Sequence, residues 1–301
     1  MASSKVWLIT GVHESSGNYH IPTPSGASSG FGRSLVSSVL ARGDRVIASS
    51  RTLDPIQDLD GTNDNLRLLQ LDVTAGEEII ASRIAEAAAF WGHIDILVNN
   101  AGSCYLGLLE ENGSAILRKQ YEVNVFGLLD VTLACLPYMR AQKDGTVVVI
   151  GSRSAWTGEV IGLGAYGSSK AAVHLVAEAL RAEVARFNIR ILIVQPSAFR
   201  TRMVRIEDNY GTQNPIEAYD DLRRENIDWY AARDGNQEGD PDKAMEAVVD
   251  VVRGEGRAAG KPWPEFLLLG KDADRDVRAK CKVMTDHLDE WSEVVKSVDY
   301  Q

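Results

Sequence analysis

The feature that most constrains this chain is a rhythm. Short β-branched and apolar runs alternate with longer segments of helical periodicity along most of its 301 residues. Strands are expected at 5–10, 45–49, 66–71, 94–98, 146–150, 189–194 and 266–269. Several of these runs are continuously apolar, as strands covered on both faces are. Helical patterns fill 31–41, 76–91, 114–142, 165–187 and 243–253, and a mixed-charge amphipathic helix with a solvated charged face follows Lys271. Connections of this length imply right-handed parallel crossovers. The expected fold class is α/β: a doubly wound parallel sheet of about seven strands, one domain over 1–301.

Composition enters where it excludes partners. Lys plus Arg number 32 and Asp plus Glu 42, a net charge of −10. Phosphate-rich surfaces need clustered positive charge, so neither nucleic acid nor an anionic membrane is an expected partner. Cys104, Cys135 and Cys281 are too few and too scattered for a disulfide framework. No CxxC pair or His/Cys cluster suggests a metal site, and His13 and His20 read as surface-loop residues. The apolar stretch after Lys5 is too short for a signal core, and no window approaches the roughly 18 apolar residues that span a bilayer. A reduced, cytoplasmic protein is expected.

Three motifs carry chemistry. The first, Gly26-Ala27-Ser28-Ser29-Gly30-Phe31-Gly32, follows the first strand and opens a helix. Glycines there let the backbone approach a pyrophosphate, and the helix N-terminus offers free N–H groups and a positive dipole end. The second stands after strand two, where Ser50 and Arg51 replace the carboxylate that would bind the ribose hydroxyls of NAD. A guanidinium pairs with a 2′-phosphate that a carboxylate would repel, so NADP(H) is the expected cofactor. The third is Tyr166-Gly167-Ser168-Ser169-Lys170 at a helix start. Four residues make one turn, so phenol and ammonium share a face, and a nearby cation is expected to lower the phenol pKa toward the working pH. Ser152 lies 14 residues upstream, just past strand five.

With Asp72-Val73, Asn99-Asn100-Ala101-Gly102, Asn124 and 196–201 in the same order over about 200 residues, the sequence resembles the short-chain dehydrogenase/reductase family, with its Rossmann-type fold. The resemblance implies a Tyr-Lys-Ser-Asn tetrad. Tyr166 exchanges the proton at the substrate oxygen, Ser152 orients that oxygen, Lys170 lowers the Tyr166 pKa and holds the nicotinamide ribose, and Asn124 interrupts its helix to anchor a relay water. Asp72 and Val73 are implied at the adenine, and Asn99, Ala101 and Gly102 on the adenosine side. Phe199 and Thr201 are implied at the nicotinamide amide and the neighbouring phosphate. Gly11, Gly26, Ser28, Gly30, Phe31 and Arg51 complete the implied cofactor set, which Tyr166 and Lys170 also touch. Residues 200–240, with Tyr210, Tyr219, Trp229 and Tyr230, are implied as a substrate lid. Their aromatics lean toward a moderately large, partly apolar ketone. Trp156 and Tyr105 either line the substrate pocket or pack. Family members assemble as homodimers or homotetramers through long helices, here around 114–142 and 165–187. In the second, the stripe Ala172, Val173, Val176, Leu180, Val184 is equally explained by packing on the sheet.

Two departures stand out. The family runs from strand into glycine turn without a break, whereas here 12–26 intervenes between Ile9-Thr10-Gly11 and Ala27. Its excision leaves Ile-Thr-Gly-Ala-Ser-Ser-Gly-Phe-Gly, so the segment reads as a late insertion, with a retained intron or a mis-drawn gene model as the leading explanation. Ser197 replaces the usual glycine after Pro196, which fits unless that position needs a positive φ. Two functions follow: an NADP(H)-dependent oxidoreductase interconverting a carbonyl and a secondary alcohol, or a catalytically inactive or NADP-sensing relative disabled by the insertion.

Overall fold

The strands expected from the apolar runs assemble into one sheet. In a computed structural model that describes residues 4–12, 30–59, 61, 63–201, 203 and 206–300, seven parallel strands lie in the order β3-β2-β1-β4-β5-β6-β7. They are β1 (Val6–Ile9), β2 (Arg45–Ser50), β3 (Leu66–Gln70), β4 (Ile96–Asn99), β5 (Gly145–Ile150), β6 (Ile189–Pro196) and β7 (Phe266–Leu269). The four residues of β1 are all buried, as are the six of β5, which is why these runs show no alternation.

Helices cover both faces. On one side α1 (Phe31–Ala41) packs with α8 (Pro241–Arg253) over Trp7, Ile9, Val46 and Leu192. On the other, α2 (Glu77–Trp91), α4 (Leu128–Gln142) and α5 (Gly164–Val184) cover Leu8, Ile47, Leu97 and Val147. Within α5, Val173 and Val184 are buried in that core and Ala172 and Leu180 pack against it, so the stripe faces the sheet. Local chemistry sets helix ends: Asp240 caps α8 by accepting from the N–H groups of Asp242 and Lys243, and Gly254 closes it in the left-handed conformation. Between β7 and the C-terminus run α9 (Lys271–Glu290) and α10 (Ser292–Lys296).

The helix expected over 114–142 is longer and interrupted. It starts as α3 (Leu109–Tyr121), takes π geometry over Glu122–Gly127 and continues as α4. One 18-residue window of this 34-residue Leu109–Gln142 run reaches a mean hydropathy of 1.2, which by length and composition alone would suffice to cross a membrane. Half of its most apolar window is buried inside the protein, so core packing accounts for that composition. Strand order reverses between β1 and β4, and there the carboxyl ends of the strands leave a crevice.

Candidate active site

A cavity of about 870 Å³ fills that crevice, lined along its length from Arg51 and Asp72 to Tyr166 and Trp229. One end is walled by main chain. Gly11 has φ +63° and a Cβ there would sit 2.6 Å from the Ala101 Cα, so both conformation and space demand glycine. A Cβ on Gly32 would come 2.6 Å from the Val12 Cα. The chain on the two sides of 13–29 therefore meets at the start of α1. Asn100 clamps this corner, its Nδ2 donating to the carbonyls of Thr10 (2.9 Å) and Gly11 (2.8 Å). Thr10 Oγ1 in turn accepts from the main-chain N–H groups of Asn100 and Ala101, each at 3.0 Å.

Gly11, Gly30, Phe31, Arg51, Asp72, Val73, Ala101 and Gly102 line this end, while Gly26 and Ser28 lie outside the described residues. Asn99 does not line it. Successive side chains of a strand point to opposite faces, and Asn99 turns into the core, where its Nδ2 donates to Thr132 Oγ1 at 2.8 Å. Asn100, its neighbour in the sequence, faces the cavity instead.

The other end is built from side chains. Ser152, Tyr166 and Lys170 line it together, Ser152 from the turn after β5 and the other two from the first turns of α5. Lys170 Nζ lies 5.8 Å from the centre of the Tyr166 ring and donates to the Ile150 carbonyl at 2.7 Å. Burial lowers the Lys170 pKa to about 8. The phenol departs from expectation. Burial, reinforced by the neighbouring Cys104 thiol, pushes the Tyr166 pKa above its ordinary value, and the Ser152 hydroxyl pulls against that shift. The Tyr166 hydroxyl donates toward Met203 Sδ at 3.7 Å, and desolvation is the largest cause of its upward shift.

Ser152 is held from behind. Its N–H donates to His174 Nε2 at 3.2 Å, and its Oγ accepts from the Ser154 N–H at 3.1 Å. An accepting Nε2 puts the ring proton on Nδ1. Burial, then the Lys170 charge, lowers the His174 pKa to about 4, which keeps the ring neutral. Gly151 leaves the space that the ring fills, since a Cβ there would run into His174 Nε2. Sequence reasoning stopped at Lys170. The same four-residue spacing carried one turn further reaches His174.

Asn124 is fully buried in the π turn, behind the cavity wall. Its Oδ1 accepts from the Ser103 N–H (2.8 Å), and its Nδ2 donates to the Ser103 carbonyl and Ser169 Oγ (both 3.0 Å). Phe199 and Thr201 line the cavity, and Phe199 meets Phe31 edge-on with centroids 5.3 Å apart. Ser197 has no positive φ, so the replacement of glycine there is unstrained. Tyr105 lines the cavity, whereas Trp156 packs, donating through Nε1 to Gln195 Oε1 at 2.9 Å.

Met203, Trp229 and Tyr230 roof the Tyr166 end. Trp229 and Tyr230 come from α7 (Asp220–Ala231), which follows the short α6 (Ile206–Asn209). Arg223 of α7 anchors this roof on the buried Glu111 of α3 and holds that carboxyl below its usual range. Nearby, Arg153 pairs with Asp276 of α9, so the residue after Ser152 is braced by the C-terminal helix. No sequence motif announced that contact, because it joins residues 123 positions apart.

Comparison with known proteins places these residues in context. The profile of the short chain dehydrogenase family matches residues 25–210. The oxidoreductase YusZ of Bacillus subtilis is 32% identical over 243 residues, 78% of this chain and 85% of that protein. A short-chain dehydrogenase structure from Streptomyces avermitilis superposes with a TM-score of 0.81 at 33% identity, covering 99% of this chain and 100% of that one. A short chain dehydrogenase from Burkholderia cenocepacia in complex with NADP shares the fold at a TM-score of 0.68 and 21% identity, over 95% and 97% of the two chains.

Proposed function

Because the chain belongs to the short-chain dehydrogenase family, we propose that it is an NADP(H)-dependent oxidoreductase interconverting a carbonyl and a secondary alcohol through Ser152, Tyr166, Lys170 and Asn124. One observation carries the reading: the three polar side chains at one end share a single cavity with the glycine corner at the other. The residues present fit a nicotinamide dinucleotide. The N-cap of α1 is Gly30, and among the described residues no side chain caps the helix start, which suits its N–H groups to an anionic pyrophosphate. The glycine corner lets backbone come close where any Cβ would intrude. Arg51 at the rim and Asp72 and Val73 beside it would hold the adenosine end, with Arg51 facing the 2′-phosphate. NADP in the Burkholderia relative agrees with that preference.

When bound, the nicotinamide supplies or accepts the hydride. Ser152, fixed by His174 and Ser154, orients the substrate oxygen. Tyr166 gives that oxygen its proton in reduction and takes it back in oxidation. Lys170, already desolvated, returns the proton to Tyr166 and holds the ribose. The Asn124 amide is committed to Ser103 and Ser169, so its main-chain carbonyl, within the π turn, holds the relay water. Residues 200–240 act as the lid. Met203, Trp229 and Tyr230 suit a moderately large, partly apolar ketone. Exposed Phe126 in the π turn, Leu133 on α4 and Leu175 on α5 support assembly of two or four copies through these helices.

The test is NADPH oxidation with a panel of ketones. Tyr166→Phe is expected to lose roughly 100- to 10,000-fold in turnover while calorimetric NADPH affinity stays within about twofold of the natural chain. Unchanged turnover would remove Tyr166 from the chemistry, and NADPH affinity absent from both proteins would remove the cofactor assignment.

A further inference from the structure

One buried polar side chain beyond α7 is left without a partner. Gln237 is 7% exposed and lines the cavity, yet among the described residues neither its Oε1 nor its Nε2 has a hydrogen-bond partner. The other glutamines buried among the described residues have partners. Gln120 accepts from the Tyr105 N–H at 2.8 Å and donates to the Ser103 carbonyl at 2.7 Å, and Gln195 accepts from Trp156 Nε1 at 2.9 Å. Even Asn236, the exposed residue before Gln237, gives its Nδ2 to the Ala232 carbonyl at 3.1 Å. A buried amide that forgoes both bonds destabilises a fold, whereas an apolar side chain of the same shape would not. Such a residue in a cavity wall calls for a ligand that supplies what the protein does not.

The path of the chain says which ligand group it meets. Phe199 and Gly239 form an isolated parallel bridge, and a Cβ on Gly239 would come 2.5 Å from Phe199 Cδ1. Arg200 donates from its N–H to the Gly239 carbonyl at 3.1 Å and from Nη2 to the Gln237 carbonyl at 3.3 Å. Residues 237–239 are thus stitched to the turn past β6, and β6 adjoins β5, whose end carries Ser152. Arg51 and Asp72 stand past β2 and β3, on the far side of the crevice. In the function proposed above, on which this inference rests, the adenosine lies at that far side and the nicotinamide beside Ser152. The Gln237 amide offers one acceptor oxygen and two donor hydrogens, and a carboxamide offers the complementary set. The ribose hydroxyls are already taken by Lys170 in that reading. We infer that Gln237 binds the carboxamide of the nicotinamide. Its terminal torsion is soft, so the amide turns into the cavity at little cost. Cofactor binding and closure of the 200–240 lid then become linked, because one side chain of the lid gains its partners only when the cofactor is in place.

Calorimetric titration into the full-length chain tests this with three probes. They are NADP+, its 3-acetylpyridine analogue, in which a methyl replaces the amide nitrogen, and 2′-phospho-ADP-ribose, which has no pyridine ring. Q237M keeps the length of the side chain and removes both polar atoms. It is expected to bind NADP+ roughly tenfold more weakly and 2′-phospho-ADP-ribose within about twofold of the natural chain. The natural chain is expected to prefer NADP+ to the acetylpyridine analogue, and Q237M to lose that preference. Thermal melts without ligand should show Q237M at least as stable as the natural chain, since the amide it removes has no partner to lose. Unchanged NADP+ affinity in Q237M would overturn the inference, whether or not the KM for a ketone rises. Equal losses for NADP+ and 2′-phospho-ADP-ribose would do the same, as would a natural chain indifferent to the acetyl replacement. A variant that melts well below the natural chain would give the amide a structural role and overturn it too. A natural chain that binds none of the three probes would remove the cofactor assignment and this inference together.

Discussion

The two ends of the cavity are built from different materials. Around Ser152, named neighbours fix the polar groups: His174 accepts from the Ser152 N–H, the Ile150 carbonyl from Lys170, and Ser103 and Ser169 hold the Asn124 amide. Around Gly11, the wall is backbone pressed against backbone, and what matters is the absence of side chains. The first end tolerates changes elsewhere as long as partners remain. The second has no room for a Cβ at Gly11 or Gly32, and it is the end that adjoins 12–26. In the proposed reading, chemistry is specified by side-chain partners and cofactor access by empty space.

That contrast can be broken most sharply at Gly11. Gly11→Val places a branched side chain at φ +63° against Ala101. It is expected to cost about 3 kcal/mol of stability and to abolish NADPH binding, measured by denaturant melts and calorimetry. A variant that keeps both would show that the corner relaxes.

At the side-chain end the probe is acid. His174 takes its proton near pH 6.5 when unfolded and near pH 4 when folded. Unfolding therefore takes up a proton between these values, so this contribution is complete above pH 6.5 and falls as pH drops toward 4. The loss is on the order of 3 kcal/mol. His174→Gln retains an acceptor for the Ser152 N–H and is expected to flatten stability over that window. An equal acid slope in natural chain and variant would mean that another group titrates.

A third measurement asks what the segment 12–26 costs. The chain without 12–26 is expected to gain about 2 kcal/mol from the shorter loop and to bind NADPH at least as tightly. Weaker binding would mean that the segment contributes to the site. The smallest effect is expected at the rim. Arg51→Glu should weaken NADPH about tenfold, close to 1.4 kcal/mol, with NADH nearly unaffected. Equal losses for both cofactors would deny a contact with the 2′-phosphate.

The sheet was legible because its strands are short, apolar and regularly spaced; β7, with no fully buried residue, still showed as Phe266–Leu269. The candidate site was legible where helical spacing puts residues on one face, as with Tyr166 and Lys170, which line the cavity together. It was illegible where facing decides. Asn99 and Asn100 are indistinguishable in the sequence, and only the pleat of β4 assigns one to the core and the other to the cavity. The direction of the Tyr166 shift also escaped, because motif spacing registers the neighbouring ammonium and not the depth of burial. The Arg153–Asp276 contact depends on the path of the whole chain.

The fit of His174 into the space left by Gly151 has a consequence for how such a chain can drift. The two positions, 23 residues apart, act as one unit with room for a single bulky member. A lineage that gained a side chain at 151 would first have to trade the imidazole for something smaller, losing the acceptor behind Ser152 on the way. One that lost the ring would leave a gap beside Ser152. Neither single step is neutral, so relatives should differ at both places together or at neither.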